Sequence, residues 1–170
     1  MFWKHPKFLH ILRVAIPLLL TLLWLGFIFG NSMKDAQASS EQSSQVQEIV
    51  NDVASSVGVK EPISESTVRN MAHFTEFFIL GALLCVDVWA LGLSPLHARR
   101  RFDVLWLLVS IPVAALLASL DEFLQTFSEG RAADFSDVLT DTVGAAIGIA
   151  LFFALFLLLR LTVRKKNLNT

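Results

Sequence analysis

Two short polar stretches of the sequence carry residues that could do chemistry, and both border long apolar segments. The stretch "VRNMAHFTE", residues 68–76, places Arg69, His73 and Glu76 at positions i, i+4 and i+7, which share one face of a helix. The stretch "DEFLQTFSEGRAADFSD", residues 121–137, is rich in carboxylates and contains one arginine. Ionisable side chains at membrane depth are expensive and usually face a bundle interior or a wet cavity, so these residues are functional candidates.

The pattern predicts one polar site at a single end of a helix bundle. Its candidate ligand-binding residues are Arg69, His73, Glu76, Asp121, Glu122, Gln125, Arg131, Asp134 and Asp137. The candidates for a catalytic acid or base are His73, Glu76, Asp121 and Glu122. Histidine and carboxylates suit that role because they can transfer protons. An ion-pair network that only pins the helix ends is the alternative, in which Asp134 and Asp137 would be helix caps.

A divalent cation is the cofactor that these residue types would suit. If one binds, its candidate ligands are Asp121, Glu122 and His73, although the sequence contains no compact metal-ligand motif. Several oxygen donors with a single imidazole favour magnesium or manganese over zinc.

The composition is that of a membrane protein, since 54% of the residues are hydrophobic and only 17% are charged. The net charge of -1 gives no bias towards nucleic acid, and none is expected as a partner. Apolar stretches with the roughly 20 residues that a membrane-crossing helix needs occur at about 11–29, 71–91, 102–120 and 138–161. We therefore expect an all-α membrane protein, with four transmembrane helices in a bundle that forms one domain over residues 1–170. Gly144 and Gly148, a small-xxx-small pair in the last stretch, predict close helix packing.

The distribution of basic residues predicts the orientation. Most of the Lys and Arg lie before the first predicted span, at 97–101, or after the last span, whereas residues 31–66 hold more acids than bases. The positive-inside rule therefore places both termini and the 97–101 loop in the cytoplasm, and the segments 30–68 and 121–137 on the outer side. The sequence "AQA" at 36–38 resembles a signal-peptidase site, but the apolar run before it is longer than a signal-peptide core, so we expect the first helix to be retained.

The first outer segment contains a predicted amphipathic helix. Its apolar residues recur at helical spacing and are Val46, Ile49, Val50, Val53 and Val57. Ser43 or Ser44 is available as its N-cap, and Gly58 as its stop. We expect this short helix to lie on the outer membrane surface or to cover the outer ends of the bundle.

Two stretches resemble the VanZ-like family of small bacterial membrane proteins. They are "RNMAHFTEFFILGALL" (69–84) and "DEFLQTFSEGRAADFSDVLTDTVGAAIG" (121–148). The family pattern has a His-Phe-x-Glu-Tyr motif that opens one helix, followed by Asp-Glu-x-x-Gln, Gly-Arg and a later Ser-x-x-Asp that runs into a glycine-containing helix. The matching positions are His73, Glu76, Asp121, Glu122, Gln125, Arg131 and Asp137. The chain departs from the pattern at Phe77, where tyrosine is common, at Glu129, where proline is frequent, and at Asp141, where asparagine is usual.

The resemblance implies a multi-pass protein of the bacterial cytoplasmic membrane and of the cell envelope. It also implies an association with antibiotic resistance, because the family takes its name from a protein linked to low-level resistance to the glycopeptide teicoplanin. A family name does not supply a reaction, so the activity has to be argued from the site.

Two functions of different classes are compatible with these residues. A binding protein would hold a lipid-linked cell-wall precursor or an amphiphilic antibiotic among the membrane lipids, with Arg69 and Arg131 binding its anionic group. An intramembrane enzyme would act on a lipid-linked envelope substrate through the carboxylates, the histidine or a metal ion. The sequence lacks a Gly-rich phosphate loop, a His-Glu-x-x-His motif and a nucleophile elbow, and we favour the binding protein slightly.

Overall fold

The computed structural model describes residues 6–91 and 101–168, and it contains five helices in these ranges. They are α1 (Pro6–Ser32), α2 (Ala36–Ser56), α3 (Glu65–Ala90), α4 (Arg101–Gln125) and α5 (Phe135–Leu168). No strand occurs within the two described ranges, so the predicted all-α class is confirmed. Residues 97–100 of the predicted basic loop lie outside the described residues.

Among the residues that the structure describes, three helical segments are long and apolar enough to cross a membrane. They are Phe8–Ser32, Glu65–Ala90 and Phe135–Leu159. These segments correspond to the first, second and fourth predicted spans. The third predicted span, 102–120, lies within the continuous helix α4. Its passage through a membrane stays a prediction, as does the cytoplasmic location of the two termini.

The α3 and α5 helices form the most extensive pair in the bundle. Glycines let their backbones approach closely. A Cβ on Gly144 would lie 2.6 Å from the carbonyl oxygen of Phe74, and a Cβ on Gly148 would overlap the carbonyl oxygen of Phe78. The prediction that this glycine pair marks close helix packing is confirmed.

A small core lies where α1, α3, α4 and α5 meet. Its fully buried members are Ile28, Phe77, Leu80, Ala114, Ala118 and Ala145. Many large apolar side chains point away from it instead, such as Leu22 and Leu116, which are 65% and 73% exposed. Helices that face lipid are expected to carry such an outward apolar surface, because the hydrocarbon is as apolar as the side chains.

The α2 helix begins at Ala36, earlier than the predicted cap at Ser43 or Ser44. Asp35 is the actual N-cap, since its carboxylate accepts a hydrogen bond of 2.7 Å from the amide of Ala38. The predicted start was wrong because residues 36–42 lack an apolar period, although none of them breaks a helix. Gly58, with a φ of 91°, follows the end of the helix as predicted.

The polar face of α2 packs against the start of α3. Ser43 is buried, and the hydroxyl of Ser40 donates a hydrogen bond of 2.8 Å to the carboxylate of Glu65. The apolar residues Ile49 and Val53 point away from the bundle, since they are 65% and 60% exposed. The helix therefore covers one end of the bundle, whereas its predicted placement on the outer membrane surface stays a prediction.

Candidate functional site

The charged candidates meet at the end of the bundle that α2 covers, which we call the polar end. It is formed by Arg69, His73 and Glu76 of α3, Asp121, Glu122 and Gln125 of α4, Arg131 of the following turn, and Asp137 and Asp141 of α5. Gly130, with a φ of 75°, makes the turn as predicted. Asp121 and Asp141 are both 0% exposed. Carboxylates this deeply buried require a hydrogen-bond partner, a proton or a cation.

Three side chains from three helices form a compact group, which we call the triad. The Nδ1 atom of His73 lies 4.0 Å from the Oδ2 atom of Asp121. One nitrogen or oxygen atom from each of His73, Asp121 and Asp141 lies within 4.8 Å of the other two. Both carboxylate oxygens of Asp141 are buried without a hydrogen-bond partner among the described residues. This triad is the part of the polar end that could hold a cation.

Glu76 is held by residues that the sequence analysis did not single out. The side-chain amide of Asn31 donates a hydrogen bond of 2.8 Å to Oε1 of Glu76, and the indole of Trp24 donates to the backbone carbonyl of Glu76 over 2.9 Å. Lys34 in turn donates to Asn31 Oδ1 over 2.9 Å and to Gln42 Oε1 over 2.8 Å. A polar group directly after the first apolar span, "GNSMK", is the only sequence signal for this chain of contacts.

Glu122 stabilises the turn between α4 and α5. Its Oε2 atom accepts a hydrogen bond of 2.8 Å from the backbone amide of Asp134, and its Oε1 atom accepts one of 2.7 Å from Gln125. The same Gln125 nitrogen donates to Asp121 over 3.2 Å. The structure therefore brings Asp121 and His73 together, as the predicted ligand set requires, but places Asp141 and not Glu122 beside them.

Asp134 has the geometry of a helix cap, which was the alternative interpretation of this residue. It is exposed, and its Oδ1 atom accepts a hydrogen bond of 2.8 Å from the backbone amide of Ser136 in the first turn of α5. This hydrogen bond lowers the pKa of Asp134. Asp137, also in the first turn, is half-buried and lines a cavity.

Two cavities lie at the polar end, and the triad residue His73 lines the first of them. The first has a volume of about 80 Å³, and its charged and polar lining includes Asn31, Lys34, Arg69, His73, Glu76 and Arg131. The second has a volume of about 190 Å³, and its polar lining includes Ser39, Arg69, Gln125, Arg131, Asp134 and Asp137. Arg69 and Arg131 belong to both linings, so the two cavities meet at the arginines.

The two arginines face the cavities without a close anionic partner. Within the described part of the chain, neither guanidinium has a carboxylate oxygen within 4.0 Å. Arg131 donates to the backbone carbonyl of Ser32 over 3.4 Å. Burial lowers the pKa of Arg131, and the positive charge of Arg69 lowers it further. The pair therefore forms a positive, partly desolvated surface.

The match to a known family covers most of the chain. A family model described as VanZ/LLP1 matches residues 17–160. The chain belongs to the VanZ/LLP1 family. The matched range contains every residue of the polar end. No curated protein and no solved structure matches the chain. Together with the three apolar helices, the match indicates that this VanZ/LLP1 chain is a multi-pass membrane protein.

The polar end of this VanZ/LLP1 protein combines two kinds of chemistry. Arg69 and Arg131 can bind an anion by paired N–H donors. The triad of His73, Asp121 and Asp141 can hold a cation or exchange protons. His73 belongs to the triad and also lines the first cavity, so the possible cation site and the possible anion site are adjacent.

Proposed function

We propose that the protein binds the anionic headgroup of an amphiphilic cell-envelope compound at its polar end, on the outer side of the bacterial cytoplasmic membrane. The observation that carries the proposal is the pair Arg69 and Arg131, which line both cavities without a carboxylate oxygen within 4.0 Å among the described residues. A guanidinium that has lost water needs an acceptor, and its planar fork suits two oxygens of one phosphate.

The charge of the first cavity supports an anionic ligand. Lys34, Arg69 and Arg131 bring three cationic groups to its wall, whereas Glu76 is the one carboxylate in the lining. The Lys34 ammonium already binds the side chains of Asn31 and Gln42, so it is held in place before a ligand arrives. The excess of positive charge favours an anion over a cation in this cavity.

The apolar part of the lining supports an amphiphile over a free inorganic anion. Val46 of α2 and Val68 of α3 line the same cavity as the cationic groups. Val46 is 42% exposed, and the apolar side of α2 continues from it through exposed Ile49 and Val53. A headgroup bound by the arginines would thus lie beside an apolar surface that can accept a hydrocarbon chain.

A lipid-linked cell-wall precursor has both of these parts, a phosphorylated headgroup and a long hydrocarbon chain. Amphiphilic antibiotics that act on such precursors would meet the same surface. The association of VanZ-like proteins with teicoplanin resistance fits a protein that binds one of these compounds. The remaining partners of such a protein are the surrounding membrane lipids.

Binding of a polyprenyl diphosphate to the purified protein in nanodiscs tests the proposal, with the uncharged polyprenol as the comparison. We expect the diphosphate to bind and the alcohol not to. Arg69→Gln and Arg131→Gln should each weaken binding by about tenfold or more, because each removes a charged phosphate donor, and about 1.4 kcal/mol corresponds to a factor of ten.

Lys60→Gln is the matched control. It also removes one positive charge, and Lys60 is an exposed residue between α2 and α3 that lines neither of the two cavities. The Lys60→Gln variant should bind the diphosphate with the affinity of the wild type. Equal binding of diphosphate and alcohol, or arginine variants that bind like Lys60→Gln, would contradict the proposal.

A second candidate function is an enzyme that acts on the same class of compound. The observation that favours it is the placement of His73, which joins the buried triad to the first cavity. Incubation of the lipid diphosphate with the protein distinguishes the two functions, since an enzyme releases a new product with turnover and a binding protein returns the compound unchanged. Loss of turnover in His73→Gln at unchanged binding would identify the enzyme.

A further inference from the structure

We propose that His73, Asp121 and Asp141 hold a divalent cation of the first transition row, for which Mn²⁺ is the best match. The inference does not depend on the proposed headgroup. It starts from geometry, since the three side chains come from α3, α4 and α5 and place one donor atom each within 4.8 Å of the other two. Ligands of an octahedral cation with bonds of about 2.1 Å lie about 3 Å apart when adjacent and about 4.2 Å apart when opposite, so side-chain rotations that bring the three donors closer together complete the site.

Asp141 supplies the second, independent observation. It is 0% exposed, and neither of its carboxylate oxygens has a hydrogen-bond partner among the described residues. An oxygen of this carboxylate lies close to the donor atoms of His73 and Asp121. A buried carboxylate without hydrogen bonds is costly, and a bound cation would satisfy it.

Gln125 provides the outer support that metal ligands commonly have. Its side-chain amide donates to Asp121 Oδ2 over 3.2 Å and to Glu122 Oε1 over 2.7 Å. Glu122 is fixed in turn by the backbone amide of Asp134, at 2.8 Å. A ligand carboxylate held in this way keeps its orientation when the cation leaves, which favours rebinding.

The charge of the triad matches a divalent ion. Two carboxylates and one neutral imidazole carry two negative charges, and in the described structure no lysine or arginine nitrogen lies within 4.0 Å of either carboxylate. A divalent cation would neutralise the group without adding a net charge to the buried region. Protonation of both carboxylates would also make the triad neutral. A measurement of metal binding distinguishes the protonated triad from a metal site.

The donor types narrow the choice of cation. Imidazole suits zinc, iron, copper and nickel, whereas carboxylates suit magnesium, calcium and manganese. Mn²⁺ accepts both kinds of donor. Three protein ligands also leave open positions, and the site adjoins the first cavity through His73, so a ligand oxygen from that cavity could complete the coordination.

Metal binding to the full chain in detergent tests the inference. The protein is stripped with a chelator, incubated with Mn²⁺ and freed of excess metal, and bound metal is counted by mass spectrometry while free Mn²⁺ is titrated by electron paramagnetic resonance. We expect one Mn²⁺ per chain for the wild type. Asp141→Asn and Asp121→Asn should each raise the Kd at least tenfold, because each keeps the shape of the side chain but removes a charged ligand.

Asp87→Asn is the matched control. Asp87 is a buried carboxylate further along α3, where it accepts a hydrogen bond of 2.7 Å from Thr21. Its replacement should leave one Mn²⁺ per chain. The inference is overturned if the stripped wild type takes up no Mn²⁺, if Asp141→Asn binds it as tightly as the wild type, or if Asp87→Asn loses it equally.

A measurement on the wild type keeps the test valid if a variant fails to fold. Electron spin echo modulation of bound Mn²⁺ should show coupling to one histidine ¹⁴N nucleus, which His73 would supply. The absence of a nitrogen coupling would exclude the triad as the site, even at a stoichiometry of one.

Discussion

The side-chain amide of Asn31 donates a hydrogen bond of 2.8 Å to the carboxylate of Glu76, and this contact connects the end of α1 to α3. The other oxygen of that carboxylate, Oε2, is buried without a partner among the described residues. Glu76 therefore depends on a single side-chain donor within the described structure. Asn31 and Glu76 both line the first cavity, so their hydrogen bond forms part of its wall.

Asn31→Ala should destabilise the protein. The change removes the amide donor and leaves the half-buried Glu76 carboxylate without its partner, which costs about 1–3 kcal/mol. Denaturant unfolding in detergent measures the loss. Gln37→Ala is the control, because the Gln37 side chain bonds only to Glu41 of the same helix in an exposed position. Equal stabilities of the two variants would show that the Asn31 contact contributes nothing.

Gly148→Ala should weaken the packing of α3 on α5. The added methyl group would overlap the carbonyl oxygen of Phe78, so the helices would have to separate. Overpacking of this kind costs about 1–3 kcal/mol. In Gly26→Ala the methyl group meets no atom within 4 Å, and alanine is the better helix former, so that control should be neutral or stabilising. Thermal unfolding in detergent compares the two, and a Gly148→Ala midpoint at or above that of the wild type would contradict the packing.

Thr21→Val should destabilise the protein, because it removes the hydrogen-bond partner of Asp87, a buried carboxylate of α3. The Thr21 hydroxyl donates a hydrogen bond of 2.7 Å to Asp87, and valine has the same shape without the donor. The expected cost is about 1–3 kcal/mol, because a buried acceptor loses its hydrogen bond. Thr75→Val is the control, since the exposed Thr75 hydroxyl bonds only to the carbonyl of Met71 one turn earlier. Denaturant unfolding in detergent measures the difference. Equal midpoints for Thr21→Val and Thr75→Val would show that the hydrogen bond from Thr21 to Asp87 does not stabilise the protein.

Glu122→Gln should separate the roles of the two neighbouring acids at the end of α4. Glutamine can still accept the hydrogen bond from the Asp134 amide, so the turn should persist. Because Glu122 is not part of the triad, the variant should retain one Mn²⁺ per chain, whereas Asp121→Asn should lose it. Metal counting measures both, and a loss of metal in Glu122→Gln would show that Glu122 is a ligand, as the sequence analysis considered.

The class of the protein followed from the sequence because it depends on local properties. An apolar run of about 20 residues is a requirement for crossing hydrocarbon, and the runs at 11–29, 71–91 and 138–161 lie in helices that could do so. The family resemblance was confirmed by the match over residues 17–160. The start of α2 was missed, because Asp35 caps a stretch that carries no apolar period.

The contacts of the polar end were decided by the tertiary structure. Helical periodicity placed His73 and Glu76 on one face, but it contains no information on which residues of other helices meet that face. The close approach of α3 and α5 at Gly144 and Gly148 accompanies the position of Asp141 beside His73. In the turn after α4, the backbone amide of Asp134 donates a hydrogen bond to Glu122 and holds its carboxylate there. Spacing along a chain fixes which residues share a helix face, whereas the rotation and distance between packed helices fix which faces meet.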